Sequence, residues 1–144
     1  MTPESATYSD ASPAVQAHLS ILQSVIQRMA SNSTSCKAWC IGLVSAVLVV
    51  VADKGRPNYV WLAAIPTALF FVLDAYYLGL ERGFRRSYNT FIDQLHHGQL
   101  RAADLYAVQP AGGIGLVGAL FSFSVWPVYV TLLGMIFLAQ RFLL

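Results

Sequence analysis

Charge is what this chain has least of. Nine Lys and Arg and seven Asp and Glu make up 11% of its 144 residues, where a soluble domain carries about a quarter. Between Asp104 and Arg141 there is no charged residue at all, which argues against a water-soluble fold for that stretch. Cysteine is scarce too. Cys36 and Cys40 sit one helical turn apart, an awkward spacing for a disulfide inside a regular helix, and two thiols are too few to close a zinc site; they read as packing residues. Catalytic signatures are missing: there is no GxSxG elbow, HExxH, CxxC or phosphate-cradling glycine loop, and the acidic residues never cluster. His96 and His97 are adjacent, about 100° apart on a helix, so they do not readily share one metal ion. No enzyme, cofactor, metal or catalytic residue is expected. The first 30 residues also lack a basic start followed by an apolar core, so no cleavable signal is expected, and the first span is expected to serve as its own insertion signal.

What is present is apolar surface. Hydrophobic residues are 56% of the chain and mean hydropathy is +0.56, with apolar blocks at 38–52 and 57–73 before the charge-free stretch. At about 20 residues per span there is room for three or four. The expected fold is all-α: an integral membrane protein with an amphipathic N-terminal helix, three transmembrane helices and a helical arm outside the bilayer.

Residues 1–12 are polar and read as a disordered tail. From Pro13, with Ser12 as cap, Val15, Leu19, Leu22, Ile26 and Met29 repeat at 4-3-4-3 spacing over 13–35. This heptad seam either lies against the membrane or its own bundle, or pairs with neighbouring subunits. Asn32, Ser33, Thr34 and Ser35 form a polar joint. A transmembrane hairpin is expected over 36–81: Lys37 and Trp39 mark an interface before the run Cys40 to Ala52, a tight turn follows at 53–58, and the second span carries Tyr59 and Trp61 at its start, Pro66 as a bend and Tyr76 and Tyr77 at its far end. The polar arm over 82–110 continues that helix until Gly98, with Phe84, Tyr88, Phe91 and Leu95 on one face and a short helix from Leu100 to Tyr106. The charge-free stretch within 111–144 would be about 45 Å long as one helix, too long to stand upright in an apolar core of about 30 Å. Trp126 and Pro127 divide it into a small-residue interfacial or re-entrant helix at 111–123 and a third transmembrane segment near 125–141, which crosses once in the preferred reading.

Basic residues orient the chain. Arg28 and Lys37 precede the first span and Arg82, Arg85, Arg86 and Arg101 follow the second, against Lys54 and Arg56 in the turn between; the N-terminus and the 82–110 arm are therefore expected in the cytoplasm.

Polar residues within apolar segments are the candidates for function. Asp74 reads either as a pore-mouth or gating carboxylate or as an interfacial Asp paired with Lys37, Arg82 or a neighbouring chain. Ser124 and Thr131 share one helical face, with Ser122 and Gln140 nearly opposite; each stripe either lines a pore or makes interhelical hydrogen bonds. Ala111, Gly115 and Ala119 fall four apart and favour close helix approach. Three spans cannot enclose a conduit, so any pore requires a homo-oligomer, of which a tetramer is the expected form. In the arm, Arg82, Arg85, Arg86 and Arg101 with Tyr88, His96, His97 and the rings of Phe84 and Phe91 offer phosphate contacts and stacking surfaces for an anionic nucleotide or oligonucleotide, or else a flank attracted to lipid headgroups.

The order of these features, an amphipathic helix ending in RMASNS, KAW opening a short span, then IPTALFFVLDAYYLGLERGFRRSYN, resembles small bacterial membrane effectors encoded beside nucleotidyltransferases in antiphage defence, and within them the channel subunits of Hailong systems. The resemblance covers about residues 15–95, with LDAYYLGLERGFR its most specific part, and extends over 111–144 by hydropathy alone. It implies a homo-oligomeric ion channel of the bacterial inner membrane, kept closed by a single-stranded oligonucleotide or nucleotide made by a partner nucleotidyltransferase and opened on infection. A non-conducting membrane adaptor and a holin-like membrane disruptor are the alternatives.

Overall fold

The computed structural model describes residues 8–55 and 57–142; most of the expected tail, Arg56 in the inter-span turn and the last two residues lie outside the described residues. Every regular element among the described residues is helical, and none is a strand.

Helix α1 runs unbroken through Pro13–Lys54, 42 residues. Pro13 takes its first position, where the missing N–H has no helical acceptor, and the Ser12 carbonyl accepts Gln16 N–H at 3.1 Å. The polar joint at 32–35 does not interrupt the helix. Serine competes with the backbone only while its hydroxyl lacks another partner, and Ser33 is buried and donates to Asp74. After Lys54 the chain reverses at Gly55, whose φ of 59° is a left-handed conformation that favours glycine and lets its N–H bond the Ala52 carbonyl at 3.3 Å.

A 3-10 turn, Pro57–Ala63, leads into α2, Ala64–His96. Pro66 falls in the first turn of α2, where no intrahelical acceptor awaits its nitrogen, so it helps start this helix and does not bend its interior. Helix α2 stops before Gly98, φ 65°. The helix expected from Leu100 to Tyr106 shrinks to a single 3-10 turn, Ala102–Asp104. Only Leu116–Leu120 (α3) is helical within 111–123. Gly112 and Gly115 have φ of 72° and 59°, which breaks any continuous helix, so Ala111, Gly115 and Ala119 form no stripe. Helix α4, Trp126–Phe142, begins at the expected Trp126–Pro127 division.

The chain divides into two compact units. In the first, built from residues to Ala30 and Leu80–Ile114, Val15, Phe91 and Leu100 form a small core joined by Leu19, Leu95 and Leu105. The early part of the heptad seam is thus consumed inside the chain, with Val15 and Leu22 fully buried, while Arg28, Arg82, Arg85, Arg86 and Arg101 stay on the surface.

In the second unit, Ser31–Gly79 and residues from Gly115 on, α1 and α2 form an antiparallel hairpin. Ser33 faces Asp74, and Cys40 faces the Pro66 carbonyl. Helix α4 buries Tyr129, Leu132, Ile136 and Ala139 at 3-4-3 spacing in a core with Cys40, Val44, Val60 and Ala75. Its outer surface is apolar: Trp39, Ile41, Val49, Ile65, Leu69, Leu133, Phe137 and Leu138 are all exposed. Helix α1 and the helical stretch Asn58–His96 are each long and apolar enough to cross a membrane, and α4 is a shorter apolar helix. At about 1.5 Å per residue α1 measures about 63 Å, twice the apolar thickness of about 30 Å; only its C-terminal part matches that thickness in length and polarity.

Candidate functional site

Asp74 is fully buried in α2. A carboxylate in so apolar a setting requires compensation, and α1 supplies it twice from one face, because Ser33 and Lys37 are one turn apart. The Lys37 ammonium lies 2.6 Å from Oδ2 and 2.8 Å from Oδ1 of Asp74. The Ser33 hydroxyl donates to Oδ1 and accepts from Lys37 Nζ at 3.2 Å, closing a three-residue ring of polar contacts. Helix α4 adds Tyr129, whose hydroxyl donates to the Phe70 carbonyl at 3.1 Å and whose ring lies 5.3 Å from that of Phe71. Apart from residues near its chain turns and its end, this unit contains no other charge. Asp74 is therefore an internal anchor between α1 and α2, as the Lys37 pairing anticipated, and within the chain it lines no pore.

The expected polar stripes do not form. Ser122 and Ser124 lie in the turn before α4, where the Ser122 hydroxyl accepts Ser124 N–H at 3.4 Å, so neither shares a helical face with Thr131 or Gln140. Thr131 is exposed on α4, with its hydroxyl bonded to the Pro127 carbonyl at 2.8 Å, and Gln140 is half-buried.

In the first unit the arm residues divide into three groups. Arg86 is committed to structure: Nε donates to the Ala111 carbonyl and Nη2 to that of Gly113, each at 3.1 Å. Ser87 reinforces the same loop, donating to the Gln109 carbonyl at 2.6 Å and accepting Ala111 N–H at 2.8 Å. The loop presses so close to α2 that a Cβ on Gly83 would stand 2.8 Å from Pro110 Cβ. Tyr88 accepts from Gln23 Nε2 at 3.3 Å, and Phe84 and Phe91 are buried, so those two rings offer no stacking platform for bases. Arg82, Arg85, His96, His97 and Arg101 remain exposed. Arg85 is paired with Glu81 at 2.7 Å, His97 with Asp93 at 3.5 Å, and the Arg101 N–H donates to Asp104 Oδ2 at 2.9 Å.

One residue outside the expected set stands out. His18 on α1 is 2% exposed, stacks on Phe91 with ring centroids 4.2 Å apart, and accepts the Tyr106 N–H through Nδ1 at 2.9 Å. Burial lowers its pKa below the usual 6.5, with the Asp104 carboxylate opposing that shift. Its place on the buried face was legible in the seam, since Val15, His18 and Leu22 follow helical spacing; its partner in a distant loop was not. Among the described residues no group of three His, Cys, Asp or Glu is placed to hold a metal ion.

No protein-family model, curated protein or solved structure matches this chain.

Proposed function

We propose that the chain is the subunit of a homo-oligomeric ion channel in the bacterial inner membrane, an antiphage-defence effector held closed by a nucleotide or oligonucleotide on its cytoplasmic face and opened on infection. The observation that carries the membrane part of this reading is the inverted chemistry of the second unit, with large apolar side chains outside and a buried carboxylate, paired with a partly exposed ammonium, inside. Such a surface suits lipid or another copy of itself, and an ionisable pair within a span points to function. The gating and defence parts rest on the resemblance around LDAYYLGLERGFR.

Within this reading α4 is the third span and the conduit lies between copies, because three spans of one chain enclose none. Thr131 and Gln140 on α4 are the hydrophilic candidates for its wall. Arg82, Arg85 and Arg101, with His96 and His97, form the cytoplasmic phosphate-binding surface, and Arg86 shapes the loop beside them. The oligonucleotide closes the channel only if it binds the closed state better, about 1.4 kcal/mol of preference giving a tenfold shift.

The test is reconstitution of the purified protein in planar bilayers with and without short single-stranded oligonucleotides. Conductance that falls on adding oligonucleotide, and that Arg85→Glu with Arg101→Glu makes insensitive, is the expected result. Absence of conductance under both conditions would replace the channel with an adaptor; leakage indifferent to oligonucleotide in the unaltered protein would replace it with a membrane disruptor.

A further inference from the structure

We infer that His18 is a proton-operated latch: its neutral ring holds the loop around Tyr106 against α1 and α2, and protonation lets that loop go. The inference stands apart from the channel reading and requires only the geometry of the first unit.

An imidazole nitrogen accepts a hydrogen bond only while it carries no proton. Because Nδ1 receives the Tyr106 N–H at 2.9 Å, the latched form is the neutral ring with its proton on Nε2. Protonation places a second N–H where the Tyr106 N–H already points, and the contact turns from attraction to repulsion. Tyr106 has φ 65°, a left-handed conformation that a residue with a side chain keeps only where its surroundings hold it. Releasing the N–H removes one of those constraints.

The segment is built for local opening. It is anchored on one side by Leu100 in the core with Val15 and Phe91, and on the other by the Ser87 contacts to Gln109 and Ala111. Tyr106 itself is exposed. Its neighbours Asp104 and Ala107 line a cleft of about 300 Å³ together with His18, Thr90, Phe91 and Gln94, which loosening of the loop would widen.

The groups around the ring set the direction. The ring packs on Phe91 of α2 and shares its cleft with Leu22 of α1 and Gln94 of α2, none of which titrates. The 3-10 turn presents Asp104, whose carboxylate favours the imidazolium and whose Oδ2 already accepts the Arg101 N–H. Desolvation outweighs Asp104, so the folded ring titrates below the usual 6.5. The latch is accordingly complete above that pH and is lost as pH falls through the lower folded value, because the released state then binds more protons than the latched one.

The experiment uses the full-length ¹⁵N-labelled protein in lipid nanodiscs. Exchange protection of the Tyr106 amide, corrected for the intrinsic pH dependence of exchange, is followed from about pH 7.5 to about pH 5 beside the His18 ring shift. Protection is expected to fall by up to about tenfold per pH unit across the titration, with the midpoint of the His18 ring. In His18→Asn the amide oxygen replaces Nδ1 as a non-titrating acceptor, and protection should stay high throughout. Protection in the unaltered protein that is flat while His18 protonates, a ring that does not protonate in this range, or a decline in His18→Asn equal to that of the unaltered protein would each overturn the latch. If His18→Asn does not fold, Asp104→Asn decides: it keeps an acceptor for Arg101 while removing the charge that favours protonation, so the opening midpoint must move to lower pH, and an unmoved midpoint overturns the assignment.

Discussion

The two units of this molecule share the same two long helices, to which the second adds α3 and α4, and obey opposite rules at their surfaces. In the unit containing the N-terminal part of α1 and the C-terminal part of α2, apolar side chains turn inward and arginines outward; of the large hydrophobics that stand exposed among the described residues, only Ile21, Tyr106 and Ile114 belong to it. In the other unit the remaining exposed hydrophobics cover the surface; both units bury polar groups, Ser33, Thr67 and Asp74 here and His18 and Glu81 in the first. A helix need not end for the chemistry of its exposed surface to change. Both α1 and α2 pass from one regime to the other without a break, and what changes along them is which face carries the polar residues.

The sharpest way to break that comparison is through the Lys37–Asp74 pair. Lys37→Met leaves the fully buried Asp74 carboxylate uncompensated, and the expected loss is about 3–5 kcal/mol, read as a lowered unfolding midpoint in detergent; Asp74→Leu leaves only a partly exposed ammonium and should cost less. The double variant should recover most of the Lys37→Met loss, because a well-packed apolar pair is often as stable as the ion pair it replaces. A double variant as unstable as Lys37→Met would mean that the pair does not act as a closed anchor.

Next in size is a charge placed on the outer face of the second unit. Leu133→Asp should cost about 2.5–3.5 kcal/mol of insertion if that face meets lipid, visible as loss of protein from the membrane fraction. Asn89→Asp on the exposed face of the first unit should change stability by less than about 0.5 kcal/mol. Equal behaviour of the two variants would erase the distinction between the units.

Much of this arrangement was readable in the residues. The apolar blocks, the turn at Gly55, the stop at Gly98 and the start of α4 at Trp126–Pro127 all follow from side chains that act locally through hydropathy or backbone preference. What was not readable depends on partners far along the chain. The polar run at 32–35 looks like an interruption unless Ser33 is known to face Asp74. Arg86 looks like a phosphate ligand because its partners are the carbonyls of Ala111 and Gly113, and a backbone carbonyl leaves no mark in a sequence. The helix expected over 111–123 fails for a similar reason, since hydropathy does not register that two glycines in the stretch take left-handed angles.

Gly83 probes the first unit's packing on its own terms. Gly83→Ala puts a methyl group 2.8 Å from Pro110 Cβ, and since the obstacle is a proline in a loop pinned by Arg86 and Ser87, the loop or α2 must shift. Overpacking of this kind costs about 1–3 kcal/mol, with faster proteolysis within 107–113 as the accompanying sign. A variant as stable and as protease-resistant as the parent would show that the loop is held less tightly than its hydrogen bonds imply.

The smallest effects separate two adjacent arginines that composition treats alike. Arg85 is exposed and makes one i,i+4 pair with the buried Glu81, so Arg85→Gln should cost up to about 1 kcal/mol, and that change should fade in high salt. Arg86 holds two carbonyls of the glycine loop, those of Ala111 and Gly113. Arg86→Gln should cost about 1 kcal/mol and persist in salt, because what is lost is a set of directed hydrogen bonds more than a charge attraction. Measuring the pair together guards against a general response to lost positive charge. If both variants respond equally and both effects vanish in salt, Arg86 is a surface charge like its neighbour, and the loop from Gln109 to Gly113 owes its shape to Ser87 and to the Ala111 N–H bonded to the Gly83 carbonyl.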